Sequence, residues 1–232
     1  MKTTYISLLA ILLCFNVSAQ SNFYKFSIGG GFGATRSYTD VEKSDYGIAG
    51  HGNLDYYLTP FISLGGELQA GQINGGDTDT DPYGRQFINS FRAGSLNLKI
   101  YMGALFNDNR SSNFANAMKW LYVGGGAGLV QNKLIGIIRY QSNGDMIPGK
   151  THSRDLLVPL NIGYSYYFSD YAGRPKFAIN LNYQANITIG EGLDGYDYSA
   201  VNFKSGRPDV YTFLTLGIKY HFGTLGLSRK SF

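Results

Sequence analysis

The chain has 232 residues, enough for one domain and few for two, and holds 31 Gly, 19 Tyr and 15 Phe against 16% charged residues. That balance suits twisted strands with small residues at crowded points and rings at interfaces, so the fold class read from composition is all-β. The net charge of +4 comes from scattered Lys and Arg, not from a basic cluster, which argues against a nucleic-acid partner.

The first element is a targeting signal: Lys2 supplies the positive start, residues 5–15 an apolar core, and Val17, Ser18 and Ala19 a small-residue cleavage site before Gln20. Residues 1–19 are therefore expected to be a signal peptide. Cys14, the single cysteine, lies inside that apolar core behind Leu12 and Leu13, where a lipoprotein processing site needs a small residue. The mature chain is then free of cysteine, without disulfides or a Cys-based metal site. Beyond residue 20 no apolar run reaches the roughly 18 residues of a helical membrane span. A membrane crossing by this chain requires a closed barrel.

Eight segments with a period of two follow. The first sets Phe26, Ile28, Phe32 and Ala34 against Lys25, Ser27 and Thr35. In the second, Tyr46, Ile48, Leu54, Tyr56 and Leu58 oppose His51, Asn53, Asp55 and Tyr57. Past a turn at Thr59 and Pro60, the third sets Ile62, Leu64, Leu68 and Ala70 against Ser63, Glu67 and Gln69. The fourth sets Leu96, Leu98 and Ile100 against Ser95, Asn97, Lys99 and Tyr101. In the fifth, from Trp120 to Gln131, both parities are apolar, and the Leu121, Val123, Ala127 and Leu129 face is expected outward. The sixth opposes Leu156, Val158, Leu160, Ile162, Tyr164 and Tyr166 to Asp155, Asn161 and Ser165. In the seventh, Phe177, Ile179, Leu181, Tyr183, Ile187 and Ile189 alternate with Lys176, Asn180, Asn182, Gln184, Asn186 and Thr188. The eighth opposes Leu214, Leu216, Ile218, Tyr220 and Phe222 to Thr215, Lys219 and His221. Charges inside segments keep to the polar face; Arg36 and Arg92 have the apolar parity near the loop ends, where long side chains reach headgroups or water.

A soluble half-buried sheet also alternates. Three features favour a membrane: segments of sufficient length, aromatics near strand ends (Phe61, Trp120, Tyr122, Tyr164, Tyr166, Phe168, Tyr220, Phe222), and connections that alternate in length. Connections 37–45, 74–87, 132–154 and 190–209 are long, whereas 59–60 and 169–175 are short, an arrangement that puts both termini in the periplasm. Connection 107–118 falls on the short side yet is long. It reads as an ordinary polar loop or as a docking surface for a periplasmic partner.

With its Gly-rich run Tyr122, Val123, Gly124, Gly125, Gly126, Ala127, Gly128 and a closing strand 214–222 ending in an aromatic, the chain resembles the small outer-membrane β-barrel proteins of the OmpA/OmpX-like and PorT-like groups of Bacteroidota. The resemblance covers residues 23–223. It implies an eight-stranded antiparallel transmembrane barrel over 20–223, a tail over 224–232, and location in the bacterial outer membrane. Either Phe222 or Phe232 stands where the family's terminal aromatic is expected.

Such a barrel is just wide enough for its interior to be filled by side chains. Asp55, Glu67, Lys99 and Lys219 are expected to form a polar network in the lumen, paired with one another and with Asn and Gln, because buried charge must be paired or hydrated; a gated conduit is the alternative. Small barrels that act on lipid A, as deacylases or acyltransferases, place a Ser or Asp and a His near the outer leaflet, and His152, Ser153 and Asp155 in connection 132–154 are the residues to weigh for that role. No nucleophile with an activating base is evident from them, and the alternation of Asp77, Asp79 and Asp81 lacks the Gly and Glu of a calcium loop. No cofactor or metal is expected.

Leu134, Ile135, Ile137, Ile138 and Tyr140 lead into Ser142, Asn143, Gly144 and Asp145, and Asn-Gly is a strong hairpin signal. Strands 5 and 6 are thus expected to project as a hairpin. Those five apolar residues are its candidate partner-binding surface, the alternative being that they fold against Tyr196, Tyr198 and Phe203 of the last loop as a cap. The leading functional expectation is a non-enzymatic barrel that acts by structure or contact, embedded in outer-membrane lipid and joined to a protein partner in an envelope complex. A lipid-modifying enzyme is the competing one.

Overall fold

The computed structural model describes residues 21–39, 41, 43–81, 84–105, 113–138, 146, 149–190, 192–196 and 208–228. The expected signal peptide, Tyr140, the turn 142–145, Tyr198, Phe203 and Phe232 lie outside them.

Eight strands follow one another in the chain: β1 (Ser21–Tyr38), β2 (Tyr46–Thr59), β3 (Ile62–Gly76), β4 (Gln86–Tyr101), β5 (Leu121–Ile137), β6 (His152–Ser169), β7 (Pro175–Ile189) and β8 (Val210–Ser228). Each pairs antiparallel with the next, and β8 returns to β1, so the sheet closes into a barrel without a free edge between strands. The shortest strand has 14 residues and the longest 19. Roughly 9–11 suffice to cross a bilayer at a barrel's tilt, so strand ends rise past the apolar band.

The alternation read from the sequence is the inside and outside of this wall. Ile28, Leu54, Leu68, Leu96, Leu160, Leu181 and Ile218 are exposed on the outer surface, while Ser27, Asp55, Asn97, Asn161, Asn182, Thr215 and Lys219 are buried. Such an inside-out distribution is unfavourable in water and suits hydrocarbon, where the closed ladder pairs backbone groups between neighbouring strands all round the wall. In β5 the Leu/Val face points out: Leu129 is 62% exposed and Tyr122 fully buried.

Three of the aromatics near strand ends lie on the inward side: Phe61 has the parity of Ser63, and Trp120 and Tyr122 that of the β5 face opposite Leu121 and Val123. Phe61 and Tyr122 join Phe23, Tyr57 and Tyr101 in a buried cluster, with Trp120 packed against it. Close packing at the short-turn end holds them there. A 3-10 turn (Met102–Ala104) brings Gly103 under the Phe61 ring, where a Cβ would lie 2.3 Å from a ring carbon, and the Tyr101 N–H donates to the Phe61 carbonyl at 2.8 Å. The outward girdle is carried by residues such as Tyr166, Phe168, Phe177 and Tyr220.

β8 runs on through Gly223 to Ser228, past residue 223 where the sequence suggests the barrel ends. A register shift opposite Tyr24 and Phe26, with Gly223 at φ +91, forms a bulge that reverses the parity of the paired segment. Phe23 keeps the inward parity of β1, and the bulge turns Gly226 of β8 inward beneath its ring, which closes the mouth. In the long-reading connection 107–118, the described part is a short helix, α1 (Asn113–Met118).

Candidate functional site

The lumen is built in layers by the inward parity of the strands. Next to the aromatic cluster at the short-turn end comes the charged layer. Asp55 on β2 accepts from Lys219 Nζ on β8 at 2.8 Å, from Lys99 Nζ on β4 at 3.3 Å and from Asn53 Nδ2 at 2.8 Å. Both lysines are nearly inaccessible, as is Asp55. One carboxylate shared by two ammonium groups satisfies the pairing that buried charge demands. Lys219 reaches it by crossing Gly29 of β1, where a Cβ would come within 2.8 Å of Lys219 Cγ.

Amides form the next layer. Asn161 Nδ2 donates to Asn97 Oδ1 at 3.3 Å, Asn182 Nδ2 to Asn161 Oδ1 at 3.2 Å, and Asn180 bridges Tyr122 and Ser165. Glu67 stands apart from the lysines. It accepts from Gln69 Nε2 at 2.6 Å, and Gln69 in turn contacts Gln184 and the Tyr211 hydroxyl. The four charged residues weighed as a lumen network thus fall into an Asp55–Lys99–Lys219 centre and a separate Glu67–Gln69 centre.

Towards the long loops the lumen becomes apolar. Phe87, Phe91, Val130, Leu157, Tyr211 and Phe213 pack into one buried cluster with Leu193 and Tyr196 of the last loop. Tyr196 anchors this cap by donating from its hydroxyl to the carbonyls of Ile138 at 2.7 Å and Gln86 at 3.1 Å. Beneath it, Asn89 donates to Asn132 at 2.9 Å and to the Leu193 carbonyl at 2.8 Å. Sequence alternation missed this half of the lumen, since Phe87, Phe91 and Phe213 share the parity of polar residues.

The candidate partner surface divides. β5 and β6 pair as far as Lys133 and His152; beyond that point β5 stays paired with β4, Phe87 facing Ile137. Leu134 is buried in the capped cluster and Ile137 packs against it, whereas Ile135 and Ile138 are exposed. Among the described residues, then, the end of β5 lies on the barrel and not in a projecting β5–β6 hairpin.

The residues weighed for hydrolysis do not converge. Ser153 Oγ donates to Asp155 Oδ2 at 2.6 Å and lies against Gly192, while Asn132 Nδ2 donates to both at 3.0 Å. His152, the neighbouring strand residue, has the outward parity and is exposed. The Ser–Asp pair thus works as a clasp between β6 and the loop after β7. Outside the membrane span, the Lys43–Asp77 pair ties the first two long loops together. It holds the Asp77 carboxyl below its ordinary range, mainly through the hydrogen bond from Lys43.

The model of the outer membrane protein beta-barrel domain family matches residues 6–222. No curated protein matches the chain significantly. Among solved structures, Neisserial surface protein A is similar at 11% identity, with 87% of this chain and 99% of that chain covered and a TM-score of 0.49. Ail, the attachment invasion locus protein of Yersinia pestis, solved with the heparin analogue sucrose octasulfate, is 13% identical over 85% of this chain and 97% of its own, with a TM-score of 0.43. OprG from Pseudomonas aeruginosa is 14% identical over 86% and 98%, with a TM-score of 0.39. A closed antiparallel barrel of eight strands with an apolar outer wall, matched over nearly its whole length by that family model, is a member of the outer membrane protein β-barrel domain family and a protein of the bacterial outer membrane.

Proposed function

We propose that this protein is a non-enzymatic barrel that acts by contact, as an accessory subunit of a larger envelope assembly. The observation that carries the reading is the filled lumen. Aromatic rings occupy one mouth, a charged and amide network the middle, and an apolar cluster capped by Leu193 and Tyr196 the other end. A barrel filled in this way leaves its outer wall and its loops as the surfaces on which it works.

In this reading residues 1–19 are a cleaved signal peptide, both termini face the periplasm, and the long connections face outward, as in the PorT-like group that the sequence resembles. Ile135 and Ile138, exposed at the end of β5, and the connection containing α1 are the surfaces offered to protein partners. The test is purification of the tagged protein from its native outer membrane in mild detergent, followed by mass spectrometry. A stoichiometric protein partner supports the reading, and its loss in Ile135→Asp or Ile138→Asp assigns the contact. Recovery as a lone barrel contradicts the subunit role.

A further inference from the structure

Every acidic residue inside a strand, Asp55, Glu67 and Asp155, has the lumen parity, so the lipid-facing wall of the described strands carries no carboxylate. Its cations are unevenly placed. Arg36 stacks on Tyr38 and Tyr46 at the β1–β2 edge, while Arg92 on β4, Lys133 on β5 and Arg154 on β6 are all outward and exposed. The ladder brings these three together: Arg92 faces Gln131, Gln131 faces Arg154, and one step nearer the loops Lys133 faces His152. Neighbouring strands lie about 4.8 Å apart, so Arg92 and Arg154 are separated by roughly 10 Å with Gln131 between them and Lys133 one step towards the loops, within reach of a single phosphorylated headgroup.

Immediately below that row the wall is hollow. A groove of about 740 Å³ crosses the wall from Ile28 on β1 through Leu54, Leu68 and Leu96 to Leu129 on β5, with Gly66 and Gly94 in its floor. Its upper edge is the Gly94–Leu129 pair, one step below Arg92 and Gln131. The barrel's own packing does not demand these glycines. A Cβ at Gly66 would meet nothing nearer than 3.9 Å, and one at Gly94 nothing nearer than 3.4 Å, whereas on the lumen side Gly31 and Gly33 would clash with backbone at 2.3 and 1.8 Å. The hollow thus exists without a structural need for it, and its β4–β5 end lies below Arg92 and Lys133, cations that, like Arg154 beside them, no described carboxylate pairs.

We propose that the outer face of β4–β6 is a binding site for an acylated, phosphorylated glycolipid of the outer leaflet. Arg92, Lys133 and Arg154 hold its phosphate, Gln131 and His152 add hydrogen bonds, and an acyl chain lies in the groove below. The assignment to the outer leaflet rests on the orientation given under the proposed function. A phosphate accepts several charge-assisted hydrogen bonds at once, and unpaired cations at headgroup depth are its natural counterpart.

The full-length protein, as it matures in the membrane, is purified in detergent and titrated with bisphosphorylated lipid A, with the same lipid after dephosphorylation, and with phosphatidylglycerol, bound lipid being counted by native mass spectrometry. The phosphorylated glycolipid is expected to bind in preference to both others. At about fivefold per cation, the triple variant R92Q/K133Q/R154Q weakens it on the order of a hundredfold. G94L, which fills the groove and leaves the cations in place, weakens it as well, and heat-modifiable mobility on gels reports folding of each variant. If the triple variant does not fold, G94L and the comparison of the two forms of lipid A on the wild type decide. Equal binding of dephosphorylated lipid, no loss in the variants, or a preference for phosphatidylglycerol overturns the proposal. Orientation is read separately, by labelling intact cells carrying Asp79→Cys or Tyr171→Cys on a Cys14→Ser background. Labelling at position 171 and not at 79 would refute the orientation without touching the binding result.

Discussion

Asp55 and Lys219 stand 164 residues apart in the chain and meet at 2.8 Å inside the barrel. β1 lies between their strands, and Lys219 passes over its Gly29 to reach the carboxylate that Lys99 also contacts. The contact therefore links the first, second, fourth and last strands, and it forms only once the barrel has closed.

Asp55→Asn strands two buried ammonium groups and is expected to destabilise the barrel by about 3–5 kcal/mol. Lys99→Met costs less, since Asp55 keeps Lys219. Urea unfolding of the refolded protein in lipid vesicles ranks the two variants. A Lys99→Met loss as large as that of Asp55→Asn would show that the charges are not shared in this way.

Gly29→Val sets a branched side chain where Lys219 Cγ and Asn53 Oδ1 each come within 2.8 Å of a Cβ. The expected cost is about 1–3 kcal/mol, as for other overpacked interiors. Gly66→Ala, on the opposite face of the wall, has open space and should change stability little. The same unfolding assay compares them, and equal losses would contradict the assignment of the two faces.

Tyr196→Phe removes the hydroxyl that ties the last loop to the ends of β4 and β5. A loss of about 0.5–1.5 kcal/mol, typical of one hydrogen-bonding group, is expected to appear locally. Limited proteolysis should cut the last loop faster while strand protection in hydrogen exchange is unchanged. Uniform loss of protection across the strands would mean that the cap is integral to the barrel's stability.

In the short turn between β6 and β7, Asp170 accepts from the backbone N–H groups of Arg174 and Ala172 at 2.9 Å and from the Arg174 side chain. The Arg174 N–H above all lowers the carboxyl's pKa below the ordinary value, about 3.9 in an unfolded chain. The turn's stabilisation is thus fully present above that ordinary value and is lost as pH falls through the lower, folded one. Carboxyl-carbon NMR of the folded protein should show Asp170 titrating below an unstructured aspartate, and titration at or above it would contradict the turn geometry.

Much of this architecture is legible in the sequence because a membrane barrel writes its two faces as odd and even positions. Asp55, Glu67, Lys99 and Lys219 are recognisable as lumen residues for that reason. Parity does not say how the lumen is divided: Phe91 and Phe213 have the same parity as Gln69 and Lys219, so the apolar half is set by which layer each residue joins in the fold. Nor does it say that Phe23, Phe61 and Tyr122, all on the inward parity, gather with Trp120 into one cluster at the mouth, which takes the turn at Gly103 and the bulge that brings Gly226 under Phe23. Arg92 is visible as a cation on the apolar parity. Its grouping with Lys133 and Arg154 appears only when the register of three strands is known.

The filled lumen is the centre of the account, and ionic conductance tests it most directly. The purified protein, inserted singly into a planar lipid bilayer in concentrated potassium chloride, is expected to give no sustained conductance steps, because the aromatic mouth and the Tyr196 cap close both ends. Reproducible long-lived steps from the folded, monomeric barrel would contradict that closure and with it the reading that this protein acts by contact.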